Sequence, residues 1–251
     1  MNDSNFIPFT NSIPLEIIPK GFVSPYDKVH PIAEIAVNEL KNKITKLAET
    51  DLNFRRNYEA DSLQIGKMFG VLVVQNPKGE LGYLQGFSGK IGDSSHYPHF
   101  VPPIVDLLEE NIAIDSIMTE ISKLTSEINQ LKLKNSIDPK LNSLIRIRKN
   151  KSIALQQDIF DEYHFLNSQK ELKPLRDIFS DFKRDKNPAG AGECSAPKLF
   201  QYAFNHNLTP IALAEFWWGK PPKSGVKQHG QFYPPCTDKC EPILSYMLGG
   251  L

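Results

Sequence analysis

Residues 68–87 read MFGVLVVQNPKGELGYLQGF, and this stretch decides the fold class. Residues 68–74 form a β-rich run that is apolar on both faces, and residues 80–87 form a second run. The QNPKG segment between the two runs supplies turn residues, so the pattern predicts a β-hairpin with a buried first strand. We therefore expect a mixed α/β (α+β) fold with this hairpin in its core.

The segments before the hairpin predict an arm and a helix. Residues 1–31 contain five prolines, which favours an extended arm laid across a folded surface. From Ile32 to about Leu52, apolar residues recur at helical spacing and predict one amphipathic helix. These apolar residues are Ile35, Leu40, Ile44 and Leu47.

A heptad pattern follows the hairpin. Its apolar positions are Ile114, Ile117, Ile121, Leu124, Ile128 and Leu131, spaced 3, 4, 3, 4 and 3 residues apart. This spacing predicts a coiled-coil helix. The sequence NSIDP at 135–139 breaks the pattern, and a second helix is predicted from about Pro139 to Asn167. Together they predict an antiparallel helical hairpin.

The tip of the predicted helical hairpin is strongly basic. Between residues 132 and 151 the only acid is Asp138, and the cations are Lys132, Lys134, Lys140, Arg146, Arg148, Lys149 and Lys151. These side chains are candidate contacts to RNA phosphates. A solvated tip that charge keeps soluble explains the same residues, because lysine and arginine are ordinary surface residues.

The last 65 residues predict a metal site, because all three cysteines lie there. Cys194 lies at the start of a helix predicted from near Ser195, and Cys236 and Cys240 lie at the start of a helix predicted over 241–248. Helix starts stabilise thiolates, and thiolates bind zinc. We therefore expect a structural zinc ion on these cysteines. The alternative is that they are small core residues, a common use of free cysteine.

His229 is the candidate fourth zinc ligand, since it precedes Cys236 in the segment HGQFYPPC. The run PIALAEFW at 210–217 lies between the two cysteine segments. It predicts a buried strand, although its alanine and leucine residues are also compatible with a helix.

We expect four segments along the chain. Residues 1–31 form the arm; 32–104 form the first part of the core; 105–170 form the inserted coiled-coil hairpin; 187–251 form the second, cysteine-bearing part of the core. The order of these elements resembles the zinc deaminases, which place a ligand and a glutamate on one helix and a Pro-Cys pair before the next. The resemblance implies a deaminase-like three-layer core. However, Ala196 stands where the deaminase glutamate would be, and three residues rather than two separate Cys236 from Cys240.

Five stretches carry a second resemblance, to the N-terminal extension of long bacterial RNA pseudouridine synthases of the RluA type. They are GKMFGVLVVQNPKGELGYLQGFSGKI at 66–91, LQQDIFDEYHFLNSQ at 155–169, GAGECSAPKLFQYAF at 190–204, LAEFWWG at 213–219 and HGQFYPPCTDKCEPIL at 229–244. The family's catalytic His-Arg-Leu-Asp motif is absent from this sequence. The resemblance implies a non-catalytic RNA-binding or substrate-positioning module that works with a synthase catalytic domain in cis or in trans.

Composition agrees with a cytoplasmic protein. Basic and acidic residues balance at 29 each, so only local clusters can attract nucleic acid. The N-terminus lacks the pattern of a secretory leader, and no apolar run approaches about 18 residues. Two rival functions stay open beside the RNA-modification module: a zinc-dependent nucleobase or nucleotide deaminase, and a protein-interaction adaptor that works through the coiled coil.

Overall fold

The structure is a computed structural model, and it describes residues 5–58, 66–106, 112–134, 139–182 and 188–251. Its helices are α1 (Pro31–Thr50), α2 (Leu52–Tyr58), α3 (Ile112–Lys134), α4 (Pro139–Glu162), α5 (Leu175–Asp181), α6 (Ser195–Asn205) and α7 (Cys240–Met247). Its strands are β1 (Ile7–Pro8), β2 (Lys67–Gln75), β3 (Leu81–Phe87), β4 (His164–Leu166), β5 (Leu172–Pro174) and β6 (Thr209–Trp218). This mixture confirms the α/β (α+β) class. Within the described residues, no helix combines the length and the apolar character that crossing a membrane requires.

The chain divides into two compact units. The first unit takes in the chain up to Ile104, together with Phe165–Lys173 and Asp177–Leu251. It carries a four-stranded sheet in the order β1-β3-β2-β6. The second unit consists of Val105–His164 and Pro174–Arg176 and carries α3 and α4.

The predicted hairpin is confirmed as the centre of the sheet. Strands β2 and β3 pair antiparallel from Phe69↔Phe87 to Gln75↔Leu81. In the turn, the Asn76 side-chain oxygen accepts hydrogen bonds from the Lys78 and Glu80 amides, and Gly79 takes the left-handed conformation that glycine favours. On its other side β2 pairs antiparallel with β6, so the predicted strand at 210–217 is confirmed and the helical alternative is wrong.

Helices cover both faces of the sheet. Alternate residues of β2, among them Phe69 and Val71, pack with Ala33 and Leu40 of α1 in one fully buried cluster. The intervening Gly70 faces α6 instead. The predicted helix from Ile32 to about Leu52 is thereby confirmed as α1, which begins at Pro31, where proline is favoured.

The proline-rich arm lies on the first unit and adds to its sheet. Ile7 and Pro8 pair antiparallel with β3, and the Val23 amide donates to the Ile211 carbonyl at 2.9 Å. The five prolines predict the extended arm, but not this short strand. A two-residue pairing leaves too little periodicity to be seen in the sequence.

In the second unit, α3 and α4 pack against each other. Ile128 of α3 is buried with Leu141 and Leu144 of α4, and Leu124, Leu131 and Ile145 pack around them. Lys140 pairs with Glu127 and Lys151 with Glu120, so the two helices run in opposite directions. The predicted break at 135–138 lies outside the described residues.

The predicted end of the second helix at Asn167 is wrong, because α4 ends at Glu162. From His164 the chain forms β4, which pairs with β5 around a turn in which the Asn167 side chain accepts hydrogen bonds from the Gln169 and Glu171 amides. Phe165 is fully buried, and the Leu166 amide donates to the Gln201 side chain on α6. These long-range contacts override a helical pattern that is visible only locally.

Candidate metal centre

The three cysteine sulfur atoms converge in the first unit. Each Sγ lies within 4.8 Å of the other two, and the Cys236 and Cys240 sulfurs are 3.6 Å apart. Cys194 is the residue that precedes α6, and Cys240 is the first residue of α7. The predicted convergence is therefore confirmed, and the three soft donors could bind a metal ion.

A tight turn brings Cys236 and Cys240 together. The Cys236 carbonyl accepts hydrogen bonds from the Cys240 amide at 3.2 Å and from the Glu241 amide at 3.0 Å. Because the chain has already begun to wind at Cys236, its sulfur reaches the same side as the sulfur of Cys240. The three residues between these cysteines are thus compatible with one shared site.

Two glycines in neighbouring strands bring Cys194 to the same place. Gly86, Gly70 and Glu215 lie side by side across β3, β2 and β6. A Cβ atom on Gly70 would lie 2.5 Å from the Ser195 Oγ and 3.3 Å from the Glu215 Cγ. The two glycines therefore let the start of α6 approach the sheet closely, and Cys194 lies at that start.

The three thiols perturb one another. Hydrogen bonding from Cys194 and Cys240 lowers the pKa of Cys236, and the neighbouring backbone amides lower it further. Hydrogen bonding with Cys236 raises the pKa of Cys194 to about 12. Hydrogen bonding with Cys194 and Cys236 raises the pKa of Cys240. A metal ion that binds all three sulfurs must displace protons from the thiols.

Glu215 is a buried carboxylate beside the cysteines, and sequence analysis missed it. It is 4% exposed, and its Oε1 accepts a hydrogen bond from the Ala196 amide at 3.1 Å. Burial raises the pKa of Glu215 to about 7, although the Ala196 amide and Lys227 oppose this shift. The signal available in the sequence was the single charged residue inside the apolar run PIALAEFW. Acidic residues are rarely buried unless they have a partner or a function.

The structure does not group His229 with the cysteines. Its Nδ1 accepts a hydrogen bond from the Gly219 amide at 2.9 Å, and its ring lies against Trp218. Among the described His, Cys, Asp and Glu residues, the metal-type cluster consists of the three cysteines alone. Three protein ligands leave one position of a tetrahedral site open to a non-protein ligand.

Lys198 is a buried cation near the centre that sequence analysis also missed. It is 1% exposed, and its Nζ lies 4.9 Å from the centre of the Phe87 ring, with no hydrogen-bond partner among the described residues. Burial lowers the pKa of Lys198 to about 8, and the neighbouring Glu193 and Cys194 oppose this shift. Its position three residues into α6 gave no sign that it faces inward.

The basic residues predicted to bind RNA all lie on α3 and α4. Lys132 and Lys134 are in the last turn of α3, and the other five are on α4. Lys140 and Lys151 are held in ion pairs, and Arg148 is partly buried. The exposed cations of the set are Lys132, Lys134, Lys140, Arg146 and Lys149.

Comparisons with protein-family models, with curated proteins and with solved structures found no match for this chain. The resemblance to the RluA-type synthases therefore stays a prediction. The same holds for the deaminase-like character of the core and for the coiled coil.

Proposed function

We propose that this chain is a zinc-stabilised, RNA-binding accessory module of an RluA-type RNA pseudouridine synthase. The convergence of Cys194, Cys236 and Cys240 carries the proposal, because it ties the start of α6 to the start of α7. Zinc is the metal that the donor set favours, since thiolates at about 2.3 Å in tetrahedral geometry are its usual protein ligands. The isomerisation of uridine belongs to a catalytic domain that supplies its own aspartate.

The RNA-binding part of the proposal is supported by the charge of the α3–α4 pair. Lys132, Lys134, Arg146 and Lys149 are exposed, and the structure gives them no ion pair among the described residues. Such cations can neutralise RNA phosphates and release counterions. We place the protein in the cytoplasm, where thiols stay reduced and available for metal.

RNA binding is tested with a fourfold variant that carries Lys132→Gln, Lys134→Gln, Arg146→Gln and Lys149→Gln. We expect its affinity for single-stranded RNA to fall, and the slope of log affinity against log salt to flatten by about 3 units. The matched control replaces Lys140 and Lys151, whose charges are already neutralised by Glu127 and Glu120. Binding that is independent of salt, or equal in the two variants, would overturn the RNA-binding proposal.

Zinc is tested by metal analysis of the purified chain. We expect about one zinc per chain, in line with one three-cysteine cluster. Replacing it by Co²⁺ should give the intense charge-transfer absorption of cobalt–thiolate bonds. Protein that takes up neither metal would contradict the assignment.

A second candidate function, hydrolytic deamination of a nucleobase, is favoured by Glu215 alone. Its carboxylate comes from β6 and binds the amide of Ala196, the residue that stands where the deaminase glutamate would be. In that reaction water adds to the ring carbon that carries the amino group, a carboxylate moves the protons, and ammonia leaves. Ammonia release from cytidine or adenosine that Glu215→Gln abolishes, while zinc content is unchanged, would establish this function. Absence of release by the zinc-loaded protein would exclude it for these substrates.

A further inference from the structure

Three lysines lie around one end of the sheet, where β2 begins. Lys67 is the first residue of β2 and pairs with Trp218 of β6. Its side chain is on the face that α1 covers, because side chains alternate along a strand and Phe69, two residues further on, packs in one cluster with α1. Lys41 and Lys43 belong to α1 itself. We refer to Lys41, Lys43 and Lys67 as the sheet-end lysines.

The two sheet-end lysines of α1 lie over aromatic rings on different sides of the sheet. The Lys41 Nζ lies 5.2 Å from the centre of the Phe216 ring, and the Lys43 Nζ lies 5.2 Å from the centre of the Phe100 ring. Phe216 belongs to β6, whereas Phe100 packs against Phe87 of β3, with 5.4 Å between the ring centres. Because β2 lies between these strands, β6 and β3 are about 10 Å apart. One ammonium group is therefore held on the β6 side and the other on the β3 side.

The sheet-end lysines lack a counter-ion among the described residues, which give them no ion pair. Burial lowers the pKa of Lys41 and Lys67, and it lowers the pKa of Lys43 to about 8. No described carboxylate contributes to these three shifts, and Lys67 helps to lower the pKa of the buried Lys198. Partly buried cations that gather without a counter-ion are unfavourable, so this end of the sheet favours an anion.

We propose that the sheet-end lysines bind the phosphodiester backbone of single-stranded RNA. A single phosphate group cannot contact ammonium groups on both the β6 side and the β3 side, whereas an RNA strand carries phosphates in succession. The exposed His229 ring lies against Trp218, the residue opposite Lys67, and gives a base a flat surface next to these phosphates. The inference rests on the RNA-binding part of the proposed function and extends the RNA contact to the first unit.

The first experiment adds Lys43→Gln and Lys67→Gln to the fourfold variant, in which the exposed cations on α3 and α4 no longer contribute. We expect the remaining affinity for a short single-stranded RNA to fall. The slope of log affinity against log salt should flatten further by about 1.4 units, because two phosphate contacts are lost. Lys41 is left unchanged, since its Nζ also donates a hydrogen bond to the Gly230 carbonyl at 3.1 Å.

The matched control adds Lys20→Gln and Lys78→Gln to the same fourfold variant. These substitutions remove the same charge from exposed lysines of the first unit. Urea unfolding of both variants checks that the fold is retained. Equal affinity and an equal salt slope in the two variants would overturn the proposal.

Amine labelling of the wild-type chain tests the same surface without a substitution. RNA should protect Lys43 and Lys67 from acylation by an N-hydroxysuccinimide ester, while Lys20 and Lys78 react as they do without RNA. Inorganic phosphate should give no protection, because it does not span the two sides. Failure of RNA to protect either lysine, or equal protection by inorganic phosphate, would also overturn the proposal. The fourfold variant is measured separately, so the RNA contacts of α3 and α4 can fail while those of the sheet-end lysines stand, and the reverse.

Discussion

The metal centre and the α3–α4 pair are stabilised in different ways. Cys194 meets Cys236 and Cys240 across a long stretch of chain, and their meeting needs two glycines in neighbouring strands. The α3–α4 pair joins residues that are close in sequence, through repeated apolar contacts such as Ile128 with Leu141. A long-range site fails when any one of several distant residues changes, whereas a repetitive interface loses stability in small steps.

The largest effect is expected from the loss of one thiol. Cys240→Ser should reduce the zinc content from about one per chain to nearly none and lower the free energy of unfolding of the first unit by several kcal/mol. Serine is a poor zinc ligand, and two remaining thiols do not hold the metal tightly. Metal analysis and urea unfolding, followed by tryptophan fluorescence from Trp217 and Trp218, provide the measurement.

His229→Ala is the matched variant for this experiment. Its imidazole is engaged by the Gly219 amide and packs against Trp218, so we expect zinc to be retained. Loss of zinc in His229→Ala would show that the histidine moves to the metal and closes the site. Zinc that survives Cys240→Ser would separate the cysteine cluster from metal binding altogether.

Lys198 should oppose stability at neutral pH. In the folded protein its pKa is about 8, below the ordinary value of 10.5. Burial of the charged ammonium therefore lowers the stability of the folded state at a pH where the amine is protonated. Lys198→Met should therefore raise the free energy of unfolding by about 3 kcal/mol at pH 7. The unfolded chain binds the proton more tightly, so the wild type gains stability as pH rises from about 8 to 10.5, and the advantage of the variant should shrink over that range.

The measurement is the difference between two pH profiles of unfolding, which cancels the titration of the thiols. Lys20→Met is the control, because it makes the same substitution at an exposed side chain. A Lys198→Met variant that is less stable than the wild type at pH 7 would mean that the amine has a stabilising partner.

The sequence was most informative where structure is local. The hairpin at 68–87, α1 and the start of α6 follow from alternation, helical spacing and turn residues, and all three are confirmed. The cysteines could also be grouped in advance, because they are few and lie at helix starts. The helical pattern extended to Asn167, but tertiary contacts of the following residues end α4 at Glu162.

Other parts of the site could not be read from the sequence, for physical reasons. Glu215 and Lys198 act through burial, and burial depends on which strand or helix lies opposite. The role of Gly70 follows from its partners Gly86 and Glu215, which no spacing along the chain reveals. The position of His229 depends on the path of the loop that carries it.

Gly70→Ala should disturb the metal centre through packing alone. Its new Cβ would approach the Ser195 Oγ and the Leu199 side chain too closely, which costs about 2 kcal/mol and pushes the start of α6 away from the sheet. We expect weaker zinc affinity together with lower stability. Gly21→Ala is the control, because a Cβ there meets no atom within 4 Å. Unchanged zinc affinity in Gly70→Ala would show that Cys194 does not need the close approach.

The smallest effect on the metal centre is expected from a change in the α3–α4 pair, where one contact among several is removed. Leu144 is 7% exposed and packs with Ile128 and Leu141, so Leu144→Ala should lower the stability of this unit by about 2 kcal/mol. Hydrogen exchange should speed up in α3 and α4, while zinc content stays the same. Leu133→Ala makes the same change at a residue that is 89% exposed and should leave exchange unaltered. If Leu144→Ala instead released zinc, the metal centre would depend on the helix pair, and the contrast between a long-range site and a local interface would no longer hold.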